Sequence, residues 1–172
     1  MSGIVKGNLG RGSGAVHTPS AFSVSKSSAQ GIDHDTITLI TWDTAYLNVG
    51  SDFDLSNEKY VCPSDGMYFF SFGISVTANE NSKFTLGGAY FYRNNSHDIT
   101  GANLQILSSP YFDARSNPIR MYNASKAVIV NCTAADYFTL KAWYNDEDGS
   151  GDQGGLVNHY YTHFQGYKIL TE

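Results

Sequence analysis

The chain has 172 residues, 41% of them hydrophobic, with 10 Phe, 12 Tyr and 2 Trp; that is enough for one sizeable core, since single domains commonly run about 100–200 residues. Only 16% of the residues are charged and the formal net charge is −5, which disfavours a general nucleic-acid-binding or membrane-surface role, because both need clustered Lys and Arg and the 11 basic residues are scattered. No run of 18 apolar residues occurs, so no membrane-spanning helix is expected.

In chain order, residues 1–20 read as an arm. They hold five glycines, Lys6 and Arg11, no acid, and few sizeable apolar side chains, Ile4, Val5 and Val16 beside Met1 and Leu9, so they cannot bury a core. The arm carries +2, while residues 21–172, with nine basic and sixteen acidic residues, carry −7. Taken from Met1, the opening MSGIVKGNLGRGSG lacks the apolar stretch of a secretory signal peptide. Residues 21–172 read as a single domain.

Behind the arm the pattern turns to period two, in which alternate side chains face opposite ways. The clearest strand is MYFFSFGISV: Tyr68, Phe70, Phe72, Ile74 and Val76 line one face, and Ser71, Gly73 and Ser75 the other. YFTLKAWY repeats this, with Phe138, Leu140 and Ala142 opposed to Thr139, Lys141 and Trp143. GGAYFY, AVIVNC and HYYTHFQGYKIL are rich in the β-branched and aromatic residues of strands. Turn signals separate them at Pro63–Gly66, Asn94-Asn95, Asn117-Pro118 and NDEDGSGDQGG. Helical spacing is missing throughout, so the fold class is all-β, a sandwich or jelly roll. Cys62 and Cys132 are too few for a disulfide framework and are expected as two buried free thiols.

AFSVSKSS, at Ala21–Ser28, resembles the opening strand of the globular head domain of complement component 1q, which shares the trimeric jelly roll of tumour necrosis factor. The next block is similar to that family's signature of an Asn-x-Gly turn, an aromatic-Asp pair and Cys-Pro-x-x-Gly-x-Tyr-x-Phe, at Asn48, Gly50, Phe53, Asp54, Cys62, Pro63, Gly66, Tyr68 and Phe70. THFQGYKIL resembles its closing strand at Phe164, Gly166 and Tyr167, and ASKAVIVNCTAADYFTLKAW its strand, Asp-containing turn (Asp136) and following strand. Ala135 stands where family members often have Gly, residues 96–122 match nothing familiar, and the collagen-like Gly-x-y triplets are absent. The resemblance implies a jelly-roll β-sandwich that associates as a homotrimer.

Chemistry-bearing residues are sparse. Asp146, Asp148 and Asp152 lie in a flexible acidic run that supplies hard oxygen ligands, as calcium requires, and some members of the resembled family hold calcium near the trimer apex. The run is not an EF-hand, because the twelfth position from Asp146 is Val157, and a solvated acidic loop is the competing reading. His159 and His163 would share a strand face roughly 13 Å apart, too far to chelate one ion. His34 sits between Asp33 and Asp35 in a polar turn, and neither GxSxG nor a Cys-His arrangement is present, so no enzyme activity is expected. Asn94, Asn123 and Asn131 head glycosylation sequons that matter only in a secreted protein.

Two functions are expected to compete. In the first, the trimer is a virion structural protein, a capsid decoration or cement protein or a tail or fibre component, anchored to other virion proteins by Ile4, Val5, Lys6 and Arg11 of the arm. SGIVKGNLGRGSG resembles short leaders on small bacteriophage virion proteins. In the second, an extracellular lectin-like trimer binds glycans or microbial surfaces through exposed aromatics such as Trp143 or Tyr160 and the acidic loop.

Overall fold

The computed structural model describes residues 19–78, 84–96, 104–107, 121–146, 155–157 and 161–169. The strands are β1 (Ala21–Ser25), β2 (Gln30–Ile32), β3 (Thr38–Leu39), β4 (Thr44–Val49), β5 (Phe53–Asp54), β6 (Lys59–Val61), β7 (Gly66–Ala78), β8 (Phe84–Arg93), β9 (Leu104–Leu107), β10 (Met121–Cys132), β11 (Tyr137–Asp146), β12 (Gly155–Val157) and β13 (His163–Lys168). They form two sheets, every described pairing being antiparallel. Sheet A runs β2-β12-β7-β13-β1-β4, with β10 on the other side of β7; sheet B runs β5-β6-β11-β8-β9, with β3 also on β11. This two-layer antiparallel β-sandwich is the fold class expected from the sequence.

The expected inward faces meet between the sheets. Tyr68, Phe70, Phe72, Ile74 and Val76 of β7 are all fully buried, as are Phe138, Leu140 and Ala142 of β11 and Phe91 of β8. Phe70 is the hub, with ring centroids 4.6 Å from Phe138, 5.2 Å from Phe91 and 5.7 Å from Tyr60. Phe164 of β13 closes the stack against Phe22 at 4.7 Å, edge to face, an arrangement that the ring quadrupoles favour.

Two glycines let neighbouring strands of sheet A pack closely. A Cβ on Gly166 would lie 2.6 Å from Phe70 Cδ1 and 2.8 Å from the Phe69 carbonyl oxygen, so no side chain fits. Gly66, with φ of +147°, starts β7 in a conformation that L side chains rarely adopt, and Lys168 Cε lies 2.8 Å from where its Cβ would be.

The second face of β7 differs from expectation. Gly73 and Ser75 are buried as well, and the His163 ring lies 2.5 Å from where a Gly73 Cβ would stand. Small residues there make room for a neighbouring strand's side chain.

Both cysteines are free and buried, as expected. The Cys62 and Cys132 thiols interact closely enough to shift each other's ionisation.

Candidate self-association surface

The outward face of sheet A is set by strand register. Residues paired directly across adjacent antiparallel strands lie side by side on one face, and the pairings Ile129↔Phe69, Phe69↔Tyr167, Tyr167↔Ala21 and Ala21↔Val49 run one apolar row across β10, β7, β13, β1 and β4. A second row is Ala127, Ser71, Gln165, Ser23 and Leu47, and a third is Ser125, Gly73, His163, Ser25 and Thr44. None of these fifteen positions is Asp, Glu, Lys or Arg, on a chain whose formal charge is −5. Ile129 is 65% exposed, Tyr167 49% and Leu47 45%; Phe69 and Tyr167 stack with centroids 5.2 Å apart. Depletion of charge with retained aromatics is the composition of an interface core.

Sheet B presents a different outer surface. Lys141 Nζ lies 4.0 Å from the centre of the Tyr92 ring and donates to Asn95 Oδ1 at 3.1 Å. Lys59 Nζ stands 5.3 Å from the Tyr137 ring. Trp143, half-buried, donates its indole N–H to Asp35 Oδ1 at 3.2 Å. These cations already have partners, so this face reads as a hydrated exterior.

The sequence-derived candidates divide. Ile4, Val5, Lys6 and Arg11 of the arm lie outside the described residues, as do Asp148, Asp152, His159 and Tyr160; Asp146 ends β11. Among the described residues no group of three or more His, Cys, Asp or Glu is placed to hold a metal ion, and no helix is long and apolar enough to cross a membrane. His163 reaches the outer face of sheet A, and Asn123 and Asn131 are exposed on that face in β10.

Residues 21–101 match the C1q domain model. The C1q-type architecture extends further along the chain in solved structures. The globular domain of zebrafish complement 1qA superposes with a TM-score of 0.56 at 15% identity, over 89% of this chain and 99% of that one. Murine APRIL at pH 5.0 superposes at 0.54 with 12% identity, over 88% and 99%.

The residues that resemble the C1q signature hold turns and core positions in this fold. Asn48 ties its turn shut: its amide donates to the Phe53 carbonyl at 2.9 Å and its side-chain oxygen accepts from Phe53 N–H at 3.0 Å. Gly50 sits in that turn at φ +79°, and Phe53 enters the core. Pro63 is exposed beside buried Cys62, and Tyr68 sends its hydroxyl back to the Ser64 carbonyl at 2.8 Å. Asp136 organises the β10–β11 turn, accepting from Thr133 N–H at 2.7 Å, from Asn94 Nδ2 at 2.7 Å and from the Arg93 guanidinium.

Two predictions follow from this turn. Burial pushes the Asp136 carboxyl pKa up, but the bonds from Arg93, Thr133 and Asn94 outweigh burial and hold it below the usual carboxylate range. A depressed folded-state pKa contributes stability above the unfolded value of about 3.9, which is lost as pH falls through the lower folded value. Asp136→Asn will therefore cost about 1–3 kcal/mol at pH 7, and urea titrations will show the gap to wild type narrowing towards pH 3; a constant gap would rule out the charge as its source.

Ala135 occupies the position where family members often have Gly, and its φ is +70°. The left-handed conformation costs a non-glycine residue about 1–2 kcal/mol, partly offset by the ~0.5–1 kcal/mol of extra chain entropy that glycine loses. Ala135 is exposed, so no packing is lost in Ala135→Gly. Scanning calorimetry should show the variant melting about 2–4 °C higher.

The residues that sequence reasoning missed are Ile129, Phe69, Tyr167, Ala21 and Val49. Their signal is a strand apolar on both parities. Phe69 lies between inward Tyr68 and Phe70, and Ile129 between Val128 and Val130. Such a strand is covered on both sides, and among the described residues only one side is covered.

Proposed function

We propose that this chain is an architectural module that self-assembles as a homotrimer through the outer face of sheet A. The observation that carries the reading is the apolar row Ile129-Phe69-Tyr167-Ala21-Val49 within a face of fifteen positions free of Asp, Glu, Lys and Arg. Acidic bodies repel one another, and an uncharged face is where copies can meet without placing carboxylates together. Light scattering on the purified chain should give three times the chain mass; a monomer at tens of micromolar would end this reading.

We further propose that the trimer serves in a virion, as a capsid decoration or cement protein or a tail or fibre component, held through residues 1–20. The +2 arm on a −7 body supports it. An extended arm can add backbone hydrogen bonds to a neighbour's sheet edge, with Ile4 and Val5 in pockets and Lys6 and Arg11 against acidic shell surface. Deleting residues 1–16 should abolish co-sedimentation with the virion particles while leaving the trimer mass intact. Unchanged co-sedimentation would exclude anchoring by the arm.

The alternative is an extracellular recognition trimer for glycans, supported by the half-buried Trp143 on the sheet B exterior. Asp146, Asp148 and Asp152 are its proposed calcium ligands. A glycan array probed with and without calcium separates the two, because the virion reading expects no consistent hits.

A further inference from the structure

Cys62 and Cys132 are the chain's two cysteines, and folding brings them together from different sheets. Cys62 directly follows β6 of sheet B, and Cys132 ends β10 of sheet A, paired with Gly66. The backbone around them is tightly held. Cys62 N–H donates to the Asp136 carbonyl at 2.8 Å, Ala135 N–H donates to the Cys62 carbonyl at 2.9 Å, and Asp136 N–H closes the turn on the Thr133 carbonyl at 3.0 Å. The two residues are 1% and 4% exposed, both belong to the one buried core cluster, and Cys132 Sγ donates to the Val130 carbonyl at 3.6 Å. Nothing in the self-association surface uses them.

We propose that Cys62 and Cys132 form a redox-closable staple between the two sheets, shut by exchange with a low-molecular-weight disulfide of the glutathione type. The bridge would link the two layers at one end of the sandwich, enclosing the chain from residue 62 to residue 132. The two thiols are not equivalent. Interaction with Cys132, together with burial, pushes the Cys62 thiol pKa up, while interaction with Cys62 and with the nearby Arg93 guanidinium favours the Cys132 thiolate. Cys132 adjoins the exposed turn at residues 133–135 and is the more accessible of the two, so it is the attacking group.

In the first step the Cys132 thiolate attacks one sulfur of the small disulfide. That S–S bond breaks, one small thiolate leaves and is protonated, and a mixed disulfide remains on Cys132. In the second, Cys62 gives up its proton and attacks Cys132 Sγ, expelling the second small thiol. Two protein thiols are oxidised by two electrons, and one small disulfide is reduced to two thiols. Because both sulfurs are buried, exchange proceeds when the exposed turn at residues 133–135 opens. The staple closes in oxidising surroundings and stays open where glutathione and thioredoxin keep thiols reduced.

The full chain incubated with glutathione disulfide should lose two hydrogens in intact mass. Peptide mapping should give a single Cys62–Cys132 link. A bridge over a loop of this length should raise the melting temperature by on the order of 10 °C, reversibly on adding a thiol reductant. Cys62→Ser should instead stop at a mixed disulfide on Cys132. Wild-type chain that keeps two alkylatable thiols, accumulates a stable mixed disulfide, or links between copies would overturn the proposal; the wild-type mass decides it even if a serine variant does not fold.

Discussion

Replacing Phe70 with alanine will remove the ring at the centre of the aromatic core and lower stability by about 3–5 kcal/mol. The ring is fully buried and lies within 6.3 Å, centroid to centroid, of Phe22, Tyr60, Tyr68, Phe91, Phe138 and Phe164. Those partners come from both sheets, so the void cannot close by moving one strand. With domain stabilities of about 5–15 kcal/mol, the variant should melt on the order of 10 °C lower. Phe70→Leu keeps most of the volume and should cost far less. Equal losses for the two variants would show that the site relaxes freely, contrary to the packing described.

Ile129→Glu will separate association from folding. The side chain is 65% exposed in the single chain, so the folded monomer loses little. In the proposed trimer each copy would bury an unpaired carboxylate in the apolar row, a change that costs about 2–5 kcal/mol where a charge is left uncompensated in an interface, or at least thirtyfold in affinity. Light scattering should report a monomer whose circular dichroism and cooperative melting remain those of a folded sandwich. Lys59→Glu, on the opposite sheet, should leave the trimer mass unchanged. A trimer that survives Ile129→Glu would place the association surface elsewhere.

The core was legible because it obeys a single rule. Tyr68, Phe70, Phe72, Ile74 and Val76 alternate without a break, and the structure buries all five. The turns at residues 63–66 and 94–95 were legible from Pro, Gly and Asn, which the backbone uses for bends or positive φ at Gly66, Asn94 and Asn95. Short strands such as β3 and β5, two residues each, carry too little periodicity to be read. Lys26 follows a clear strand and would be expected in solvent, yet it is buried. Its ammonium donates to the Thr41 carbonyl at 2.8 Å, Thr41 Oγ1 at 2.9 Å and Gln30 Oε1 at 3.2 Å, partners supplied by chain that only the fold brings near. The association face was hidden for a related reason. Ile129, Phe69, Tyr167, Ala21 and Val49 come from five strands, and only their registers show that they form one row.

The pairing of the first strand with the last has a kinetic consequence. β1 lies between β13 and β4, and Phe22 pairs with Gly166 across the chain. During synthesis β1 can pair with β4 early, but β13, the strand that joins this pair to β7, is absent until His163–Lys168 has been made. Sheet A therefore cannot close cotranslationally from its N-terminal side. Long-range pairings of this kind make folding slow, in the millisecond-to-second range. Throughout that interval the apolar strands β1 and β7 are open to pairing with neighbouring chains, so yield on expression should depend on the concentration of nascent chains more steeply than the stability of the finished fold would imply.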